Sequence, residues 1–510
     1  MIDKITKKYI ALAEDLKVPF RYFVLTFLAF VALRNFIEIF SDRCEIPVIS
    51  FELHFHYYLS YICMVLSFTL LFSAATGEKV AKVARLILFS FLFILLAPTL
   101  DLVISGGRGY DIGYLSPSRG HGDLLLRYLT FAGSFEGGGI TIGLRIEIAF
   151  FMTVSFLYFK AKKVPLLKSL LFVLLMYTVM FGYAIVPFII KALLDIFGLF
   201  EGFSNMLYAR FYLPVIFILL LALVWKWNKR YFVSILKDMR PFRQAHALVM
   251  FAFGIILGPS LTWSQDTIFD LALVAMSTMW ACLFVIMTNN LEDQEIDQLV
   301  NEGRPLISGA IPRGDYNNMA MLAGLLALIY AGAVSYYTFF TILLFMGLYS
   351  LYSMPPVRLK RVPFFSKMAI ALNSLAFAIM GYVFAGGEVI EFPPLIILWF
   401  LVFFTAAMNF IDIKDYEGDK RAGVKTLPVL WGLEKSQRII GLFFLLTYAA
   451  APFAVGQTYL LLLAIPVGVV QYWRMNKKDY REEKIFSLYL GSFIVLLALL
   501  VFAERLAVPI

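Results

Sequence analysis

The stretch NNLEDQEIDQLVNEGRPLISG (289–309) decides how this chain folds, because it ends an apolar run with five acidic side chains. Asn289, Asp293 and Asp297 are spaced four residues apart, so they share one face if the helix continues past the apolar run. Asn290 lies three residues before Asp293, close enough to join them. Carboxylates on one face repel each other unless cations lie between them. The stretch therefore predicts a cation-binding end to an apolar helix.

The composition is that of a polytopic membrane protein. The chain has 510 residues, of which 61% are hydrophobic and only 15% are charged. Soluble domains carry about 25% charged residues. The formal net charge of +9 agrees with basic residues in cytoplasmic loops, so it indicates a lipid bilayer as the surroundings and no nucleic acid partner.

Apolar runs of about 20 residues, enough to cross a bilayer core of about 30 Å, recur along the whole chain. They predict an all-α fold with six spans in the first half and nine in the second. The first six are expected near 20–40, 54–76, 83–104, 144–160, 166–190 and 207–226. The other nine are expected near 247–263, 266–289, 318–335, 337–352, 366–385, 392–411, 437–453, 457–473 and 485–503.

Basic loops set the expected orientation. GEKVAKVAR, KAKKVPLLK and KWNKRYFVSILKDMRPFRQ fall on one side if the first six spans are right, so that side is expected to be cytoplasmic. Every second span of the later half then ends on the same side, where its polar residues cluster. The basic segment 227–245 predicts a boundary between an N-terminal extension of unknown role (1–240) and a second domain (241–510).

A second acidic cluster, DIKDYEGD (412–419), ends a later span. Asp412, Asp415 and Asp419 follow the spacing i, i+3, i+7, which again gives one helical face. One acidic helix end alone is usually a solvated loop, but two with matching spacing on one side favour a metal site. Hard divalent ions take such oxygen ligands, and Mg²⁺ keeps waters and substrate phosphates in its shell.

Basic side chains accompany both acidic clusters. Acidic clusters alone would suggest a cation pathway, whereas acids interleaved with Arg and Lys fit a Mg²⁺-diphosphate. Metals and cations ease the loss of diphosphate by neutralising the leaving oxygens. The allylic carbocation left behind would be stabilised by the π faces of a phenylalanine-rich interior. The basic residues on this side are Arg304, Arg358, Lys360, Arg361, Lys420 and Arg421.

At these residues the sequence resembles the UbiA-type superfamily of intramembrane prenyltransferases. NNLEDQEID (289–297) is similar to that family's N-D-x-x-D-x-x-x-D motif, and DIKDYEGD to its D-x-x-D-x-x-x-D motif. The blocks MRPF, GRPLISGAI, YSMPPVRLKR and GVKTLPVLWG also resemble the family. The resemblance covers roughly 240–510 and implies a nine-helix bundle with a central cavity, preceded here by about six further transmembrane helices.

The resemblance also implies a division of roles. Asn289, Asp293 and Asp297 would bind one Mg²⁺, and Asp412, Asp415 and Asp419 a second, with the five aspartates serving catalysis. The diphosphate would be bound by Arg304, Tyr352 and Lys360, with Asn289, Arg358 and Lys420 also at the substrate. One departure is Asn290, which stands where the family has an aspartate; it removes a charge beside the metal and is expected to weaken metal affinity.

The implied activity is Mg²⁺-dependent transfer of a prenyl group from a polyprenyl diphosphate to an acceptor, at the cytoplasmic side of a prokaryotic cell membrane. The acceptor is a glyceryl phosphate lipid or a hydroxylated aromatic. The short interval from Asp297 to Arg304 and the form of the second motif resemble the geranylgeranylglyceryl-phosphate branch. Alternatives are an isoprenoid diphosphate cyclase or hydrolase on the same fold, or a transporter, whose intramembrane acids would mark an ion path.

The first half resembles no known family in its motifs. Its glycine-rich loop 105–140 contains polar residues that suggest either a connector, which is favoured, or a second site: Arg108, Asp111, Arg119, His121 and Asp123. His54 and His56 are expected at a membrane interface. Cys44, Cys63 and Cys282 follow no metal or disulfide spacing and are expected to be buried. The first 20 residues lack a cleavable signal pattern and are expected to form an amphipathic surface helix.

Overall fold

The computed structural model describes residues 2–41, 50–110, 112–115, 121–130, 140–294, 298, 303–362, 364–421, 423–477 and 479–505. Its elements are helices. They form two compact units: Met1–Phe232 with Ser264–Phe269, and Val233–Trp263 with Asp270–Ile510. The chain therefore passes between the units three times: within the helix Lys229–Asp238, between Trp263 and Ser264, and within the helix Gln265–Glu292.

The first unit contains the helices predicted for the first half and four shorter ones. Its third span, Val80–Ile104, is continuous but changes from α4 to α5 through a 3₁₀ turn. The helices are α1 (Ile2–Ala13), α2 (Phe20–Ser41), α3 (Phe51–Thr76), α4 (Val80–Ser90), α5 (Leu96–Ile104), α6 (His121–Leu129), α7 (Ile142–Ala161), α8 (Leu166–Ala184), α9 (Val186–Asp195), α10 (Asn205–Trp227) and the beginning of α11 (Lys229–Asp238), whose residues from Val233 onward belong to the second unit.

The second unit contains the nine expected spans and two short helices after the second acidic motif. The helices are α12 (Pro241–Leu257), α13 (Gln265–Glu292), α14 (Arg313–Val334), α15 (Tyr336–Ser353), α16 (Phe365–Phe384), α17 (Pro394–Lys414), α18 (Tyr416–Arg421), α19 (Leu427–Trp431), α20 (Leu433–Ala454), α21 (Leu461–Met475) and α22 (Glu482–Arg505).

Thirteen helices of the described residues are long and apolar enough to cross a membrane. The other two expected spans also form helices: α12 has 17 residues and α15 has 18. The all-α membrane fold predicted from the sequence is confirmed.

Buried ion pairs hold the first unit together. Arg34 of α2 is 3% exposed. It donates to Glu38 at 2.8 Å, to Glu147 of α7 at 3.2 Å and to the Ile94 carbonyl at 2.6 Å. Glu147 also accepts the Ala97 N–H at 2.9 Å. Each charge thus meets donors or acceptors from neighbouring helices, which repays part of its desolvation.

Two glycines let α12 and α16 pack at very short distance in the second unit. A Cβ at Gly254 would lie 1.8 Å from the Ala378 carbonyl oxygen, and one at Gly381 would lie 1.9 Å from that of Phe251. Small residues are the usual means of close helix packing in membranes. This crossing fixes α16, whose first turn carries Lys367.

Several expected boundaries shift for local reasons. The span expected at 247–263 is α12, which begins six residues earlier because Pro241 suits the first helical turn. The run 166–190 divides after Ala184, because Pro187 cannot continue the hydrogen bonding of α8 and instead begins α9.

Some expectations for the first unit change. His56 is 2% exposed and packs against Tyr57, Tyr114 and Tyr208, so its side chain is buried within the protein; its expected position at a membrane interface stays a prediction. Cys63 and Cys282 are buried and free as expected. Residues that lie outside the described part of the chain are Cys44, Asp111 and Arg119, together with the side chains of His121 and Asp123.

Candidate active site

The first acidic motif lies at the cytoplasmic end predicted for α13. Asn289 is in the last turn of that helix and accepts a hydrogen bond from the Ser353 hydroxyl of α15 at 2.7 Å. The Asp293 N–H donates to the Asn289 carbonyl at 2.9 Å, so the two residues are one helical turn apart as expected. Asp297, which was predicted to share this face, lies outside the described residues.

Two basic side chains hold the Asp293 carboxylate. Lys360 Nζ lies 2.6 Å from Oδ2, and Arg358 Nη2 lies 3.3 Å from Oδ1. Arg358 has φ = 49°, a left-handed conformation that reverses the chain after α15 and brings both cations to the same carboxylate. Three residues predicted from separate parts of the sequence therefore meet in space.

The second motif begins where α17 reaches its end. The helix passes through a π-helical turn at Phe400–Phe404, a feature that recurs at functional sites. Asp412 is 7% exposed and accepts a hydrogen bond from the ammonium of Lys367, which is 2% exposed. Sequence reasoning missed Lys367, although a lysine within an apolar helix is itself a signal of function.

Asp415 and Asp419 continue this motif beyond the span. Asp415 is exposed at the end of α17, and Asp419 is half-buried in α18. Burial raises the pKa of Asp419 to about 6, and the charges of Asp412 and Asp415 add to the shift. The pKa of Tyr480 is also raised, chiefly by burial and further by nearby carboxylates that include Asp415. Negative charge is therefore concentrated at this helix end.

The last turn of α15 contacts both motifs. Ser353 bonds to Asn289, and the preceding residue, Tyr352, interacts electrostatically with Lys367, Asp412 and Asp415. Since neighbouring residues of one turn reach the two motifs, both acidic helix ends face the same region. The contact with a diphosphate predicted for Tyr352 stays a prediction.

Two predicted substrate residues differ in their surroundings. Arg304 lies beside the first motif, where its Nη1 donates to the Asn290 side chain at 2.8 Å. Lys420 is exposed, with Nζ 5.6 Å from the centre of the Tyr416 ring, so it points along its own short helix. Of the two, Arg304 is better placed to contact a ligand between the motifs.

The donor chemistry at these motifs fits Mg²⁺. Carboxylate and amide oxygens are the available ligands, and Mg²⁺ is typically bound by one or two carboxylates with waters and substrate phosphates. Among the described residues, no three acidic, histidine or cysteine side chains are gathered round one point. The residues that would hold the ions stay those predicted: Asn289 and Asp293 with Asp297, which lies outside the described residues, for one ion, and Asp412, Asp415 and Asp419 for the other.

Comparison with known proteins places this arrangement in a family. Residues 247–497 match the model of the UbiA prenyltransferase family. A digeranylgeranylglyceryl phosphate synthase of Pyrococcus horikoshii is 30% identical over 238 residues, which are 46% of this chain and 83% of the relative. The chain belongs to the UbiA prenyltransferase family. It is therefore an integral membrane prenyltransferase, and the fold and family expected from the two motifs are confirmed.

Other UbiA prenyltransferases show the extent of the match. A digeranylgeranylglyceryl phosphate synthase of Thermococcus sibiricus is 32% identical over 180 residues, or 35% of this chain and 62% of the relative. A solved UbiA homologue from Archaeoglobus fulgidus, bound to GPP and Mg²⁺, aligns with a TM-score of 0.45 and 21% identity. That alignment covers 53% of this chain and 98% of the homologue.

Proposed function

We propose that this UbiA prenyltransferase transfers a prenyl group from a prenyl diphosphate to a glyceryl phosphate lipid, with Mg²⁺ at the two acidic motifs. The observation that supports a diphosphate substrate is the clamp on Asp293, where Lys360 and Arg358 converge on one carboxylate. Cations and carboxylates at hydrogen-bond distance suit a metal-bound diphosphate, since metals take some of its oxygens and the basic side chains take others.

The chemical step breaks the bond between the allylic carbon and the bridging oxygen of the diphosphate, and the electron pair leaves with the diphosphate. Lys360, Arg358 and Arg304 stabilise the developing charge. When bound, Mg²⁺ polarises the same oxygens. An acceptor hydroxyl then forms the new C–O bond and loses its proton, for which the released diphosphate is an available base.

The acceptor is proposed from the relatives. A digeranylgeranylglyceryl phosphate synthase of Pyrococcus horikoshii is matched over 83% of its length. A phosphate on the acceptor would also need cations, and the last turn of α18 carries the exposed Lys420 and Arg421. By the positive-inside rule, this end of the bundle is cytoplasmic. A hydroxylated aromatic is the other acceptor class.

The test uses purified protein with radiolabelled geranylgeranyl diphosphate, with and without Mg²⁺, and a panel of glyceryl phosphates and hydroxylated aromatics. We expect Mg²⁺-dependent release of diphosphate and a labelled lipid. Asp293→Ala and Asp415→Ala should abolish both. Glu434→Ala, which changes an exposed acid in the first turn of α20, should retain wild-type turnover.

The labelled product separates the alternatives. Label on an aromatic would replace the proposed acceptor, and a cyclised or hydrolysed isoprenoid formed without any acceptor would indicate the other chemistry of the fold. Folded protein that binds Mg²⁺ but turns over no donor of any length would contradict the proposal and favour a transport role.

A further inference from the structure

Asn290, the residue that departs from the family motif, lies at the centre of a hydrogen-bonded network. It is 1% exposed. Its Nδ2 donates to Asp238 Oδ2 at 2.8 Å and to the Tyr316 hydroxyl at 2.9 Å, while its Oδ1 accepts from Arg304 Nη1 at 2.8 Å. The Tyr316 hydroxyl in turn donates to Asp238. The amide thus links a carboxylate to a guanidinium.

The chemistry of the partners fixes how the amide is oriented. A guanidinium only donates hydrogen bonds, and an ionised carboxylate only accepts them. The carbonyl end of Asn290 must therefore face Arg304, and its NH₂ end must face Asp238. Because both ends are constrained, a negative charge at Asp238 orients Asn290, and Asn290 orients Arg304.

The position of Asp238 also calls for an explanation outside its own helix. It is the last residue of α11, where the helix dipole presents negative charge and an acidic side chain is unfavourable. Two donors from other helices, Asn290 of α13 and Tyr316 of α14, compensate for this placement. The carboxylate is stabilised by this network and not by α11.

We propose that Asp238 is the positioning residue for Arg304, acting through Asn290 as a neutral bridge. The carboxylate that the motif lacks at position 290 is thus supplied by α11. An aspartate at 290 would put two carboxylates at hydrogen-bond distance, so Asp238 and Asn290 form a matched pair. This inference rests on the proposed function, in which Arg304 binds the diphosphate. It assigns Asn290 a role in substrate binding, in place of the weakened metal affinity expected from the sequence.

The test is a reciprocal exchange in the full-length protein, with steady-state kinetics and binding of inorganic diphosphate in the presence of Mg²⁺. Asp238→Asn should raise KM for the prenyl diphosphate and weaken diphosphate binding by about 10- to 100-fold, the usual cost of losing a residue that orients a ligand. KM for the acceptor and kcat should change far less. Tyr316→Phe, which leaves the charge in place, should cost several-fold less.

Asn290→Asp alone should raise KM for the prenyl diphosphate at least as much as Asp238→Asn does. The double variant Asp238→Asn with Asn290→Asp restores one carboxylate and one amide, so it should return KM to within about fivefold of wild type. Asp479→Asn, at a carboxylate whose side chain is 61% exposed, is the matched control. Melting temperatures report whether any variant is merely unstable.

The outcomes distinguish this inference from the function on which it rests. If wild type turns over and Asp238→Asn keeps the wild-type KM and diphosphate affinity, the positioning role is wrong and the proposed function stands. If the double variant is no better than the two single variants, the matched pair is also refuted. A wild-type protein that neither turns over nor binds diphosphate would overturn both.

Discussion

Two carboxylates of the first unit and Asp419 of the second unit have different surroundings. In the first unit, Glu147 accepts from Arg34 and from a backbone N–H, and Asp101 accepts from the Thr141 hydroxyl and from the Gly143 N–H at 2.8 Å. In the second unit, the carboxylates of the second motif lie near one another, and Asp419 has its pKa raised to about 6. Glu147 and Asp101 are paired within the protein, and so is Asp412, with Lys367, whereas burial and neighbouring charges raise the pKa of Asp419.

We expect the first kind of carboxylate to stabilise the fold and the second kind to be available to a ligand. A buried carboxylate that accepts hydrogen bonds from a guanidinium or from N–H groups has part of its desolvation cost offset by those donors. A carboxylate whose pKa is raised, as at Asp419, makes the ionised folded protein less stable than it would otherwise be. Such a cost persists where function requires it. The predictions that follow test this contrast in order of decreasing effect.

The largest effect is expected from breaking the buried pair of the first unit. Glu147→Ala leaves Arg34, 3% exposed, without its strongest interhelical partner, and removing one member of a buried pair costs about 3–5 kcal/mol. Thermal unfolding in detergent should show a large loss of stability. Glu147→Gln, which keeps the shape and one acceptor, should lose less; equal losses would show that the charge and not the packing is responsible.

The opposite result is expected at the second motif. Asp415→Asn should lower prenyl transfer at least about a hundredfold, because a group that holds the metal contributes several kcal/mol to the transition state. Its melting temperature should stay the same or rise, since Asp415 is exposed and its charge contributes to the raised pKa of Asp419. Turnover and melting are measured on the same preparation; a fall in both would place Asp415 among the stabilising carboxylates.

The sequence was sufficient to predict the two acidic motifs, but it did not predict the side chains that contact them. Asp293 and Asp412 were found because hydrophobic runs mark helix ends and the i, i+3 and i+4 spacings mark faces. Lys367 could have been found, because it interrupts an apolar run. Asp238 could not: it precedes Asn290 by 52 residues, lies in a polar segment and shows its role only when three helices meet.

Orientation within a helix end was also beyond the sequence. Lys360 and Lys420 are both basic residues that follow acidic or polar helix ends, and they were predicted to act alike. The structure brings Lys360 to Asp293 at 2.6 Å and leaves Lys420 beside Tyr416. The left-handed turn at Arg358 places Lys360 at Asp293. The spacing of residues in the sequence does not predict such a turn.

A smaller effect is expected at the start of α7. Thr141 caps this helix by accepting the Leu144 N–H at 3.1 Å and also donates to Asp101. Thr141→Ala should cost about 1–2 kcal/mol of stability and leave prenyl transfer per folded molecule unchanged. Thr153→Ala, whose hydroxyl bonds within its own helix at an exposed position, is the control. Loss of specific activity would instead link the first unit to catalysis.

The smallest effect is a pH dependence at Glu78, in the loop between α3 and α4. Its pKa is lowered first by the hydrogen bond from Lys162, 2.8 Å away. The ionised Glu78 side chain therefore contributes to stability at pH values above its ordinary pKa of about 4.3. That contribution is lost as the pH falls through the lowered pKa of the folded protein. At pH 7, Glu78→Gln should lower the free energy of unfolding by less than about 1 kcal/mol, because the ion pair is partly exposed. The melting curves of the variant and of the wild type should converge at lower pH.

The matched comparison is Asp419→Asn, where the sign is reversed. The pKa of Asp419 is raised to about 6, so its ionisation opposes folding above that pH, and replacing it should stabilise the protein more at pH 7.5 than at pH 5. Melting curves of both variants without added Mg²⁺ provide the measurement. The distinction between paired carboxylates and ligand-binding carboxylates predicts opposite shifts of melting temperature for Glu78→Gln and Asp419→Asn at pH 7.5. Shifts in the same direction would contradict it.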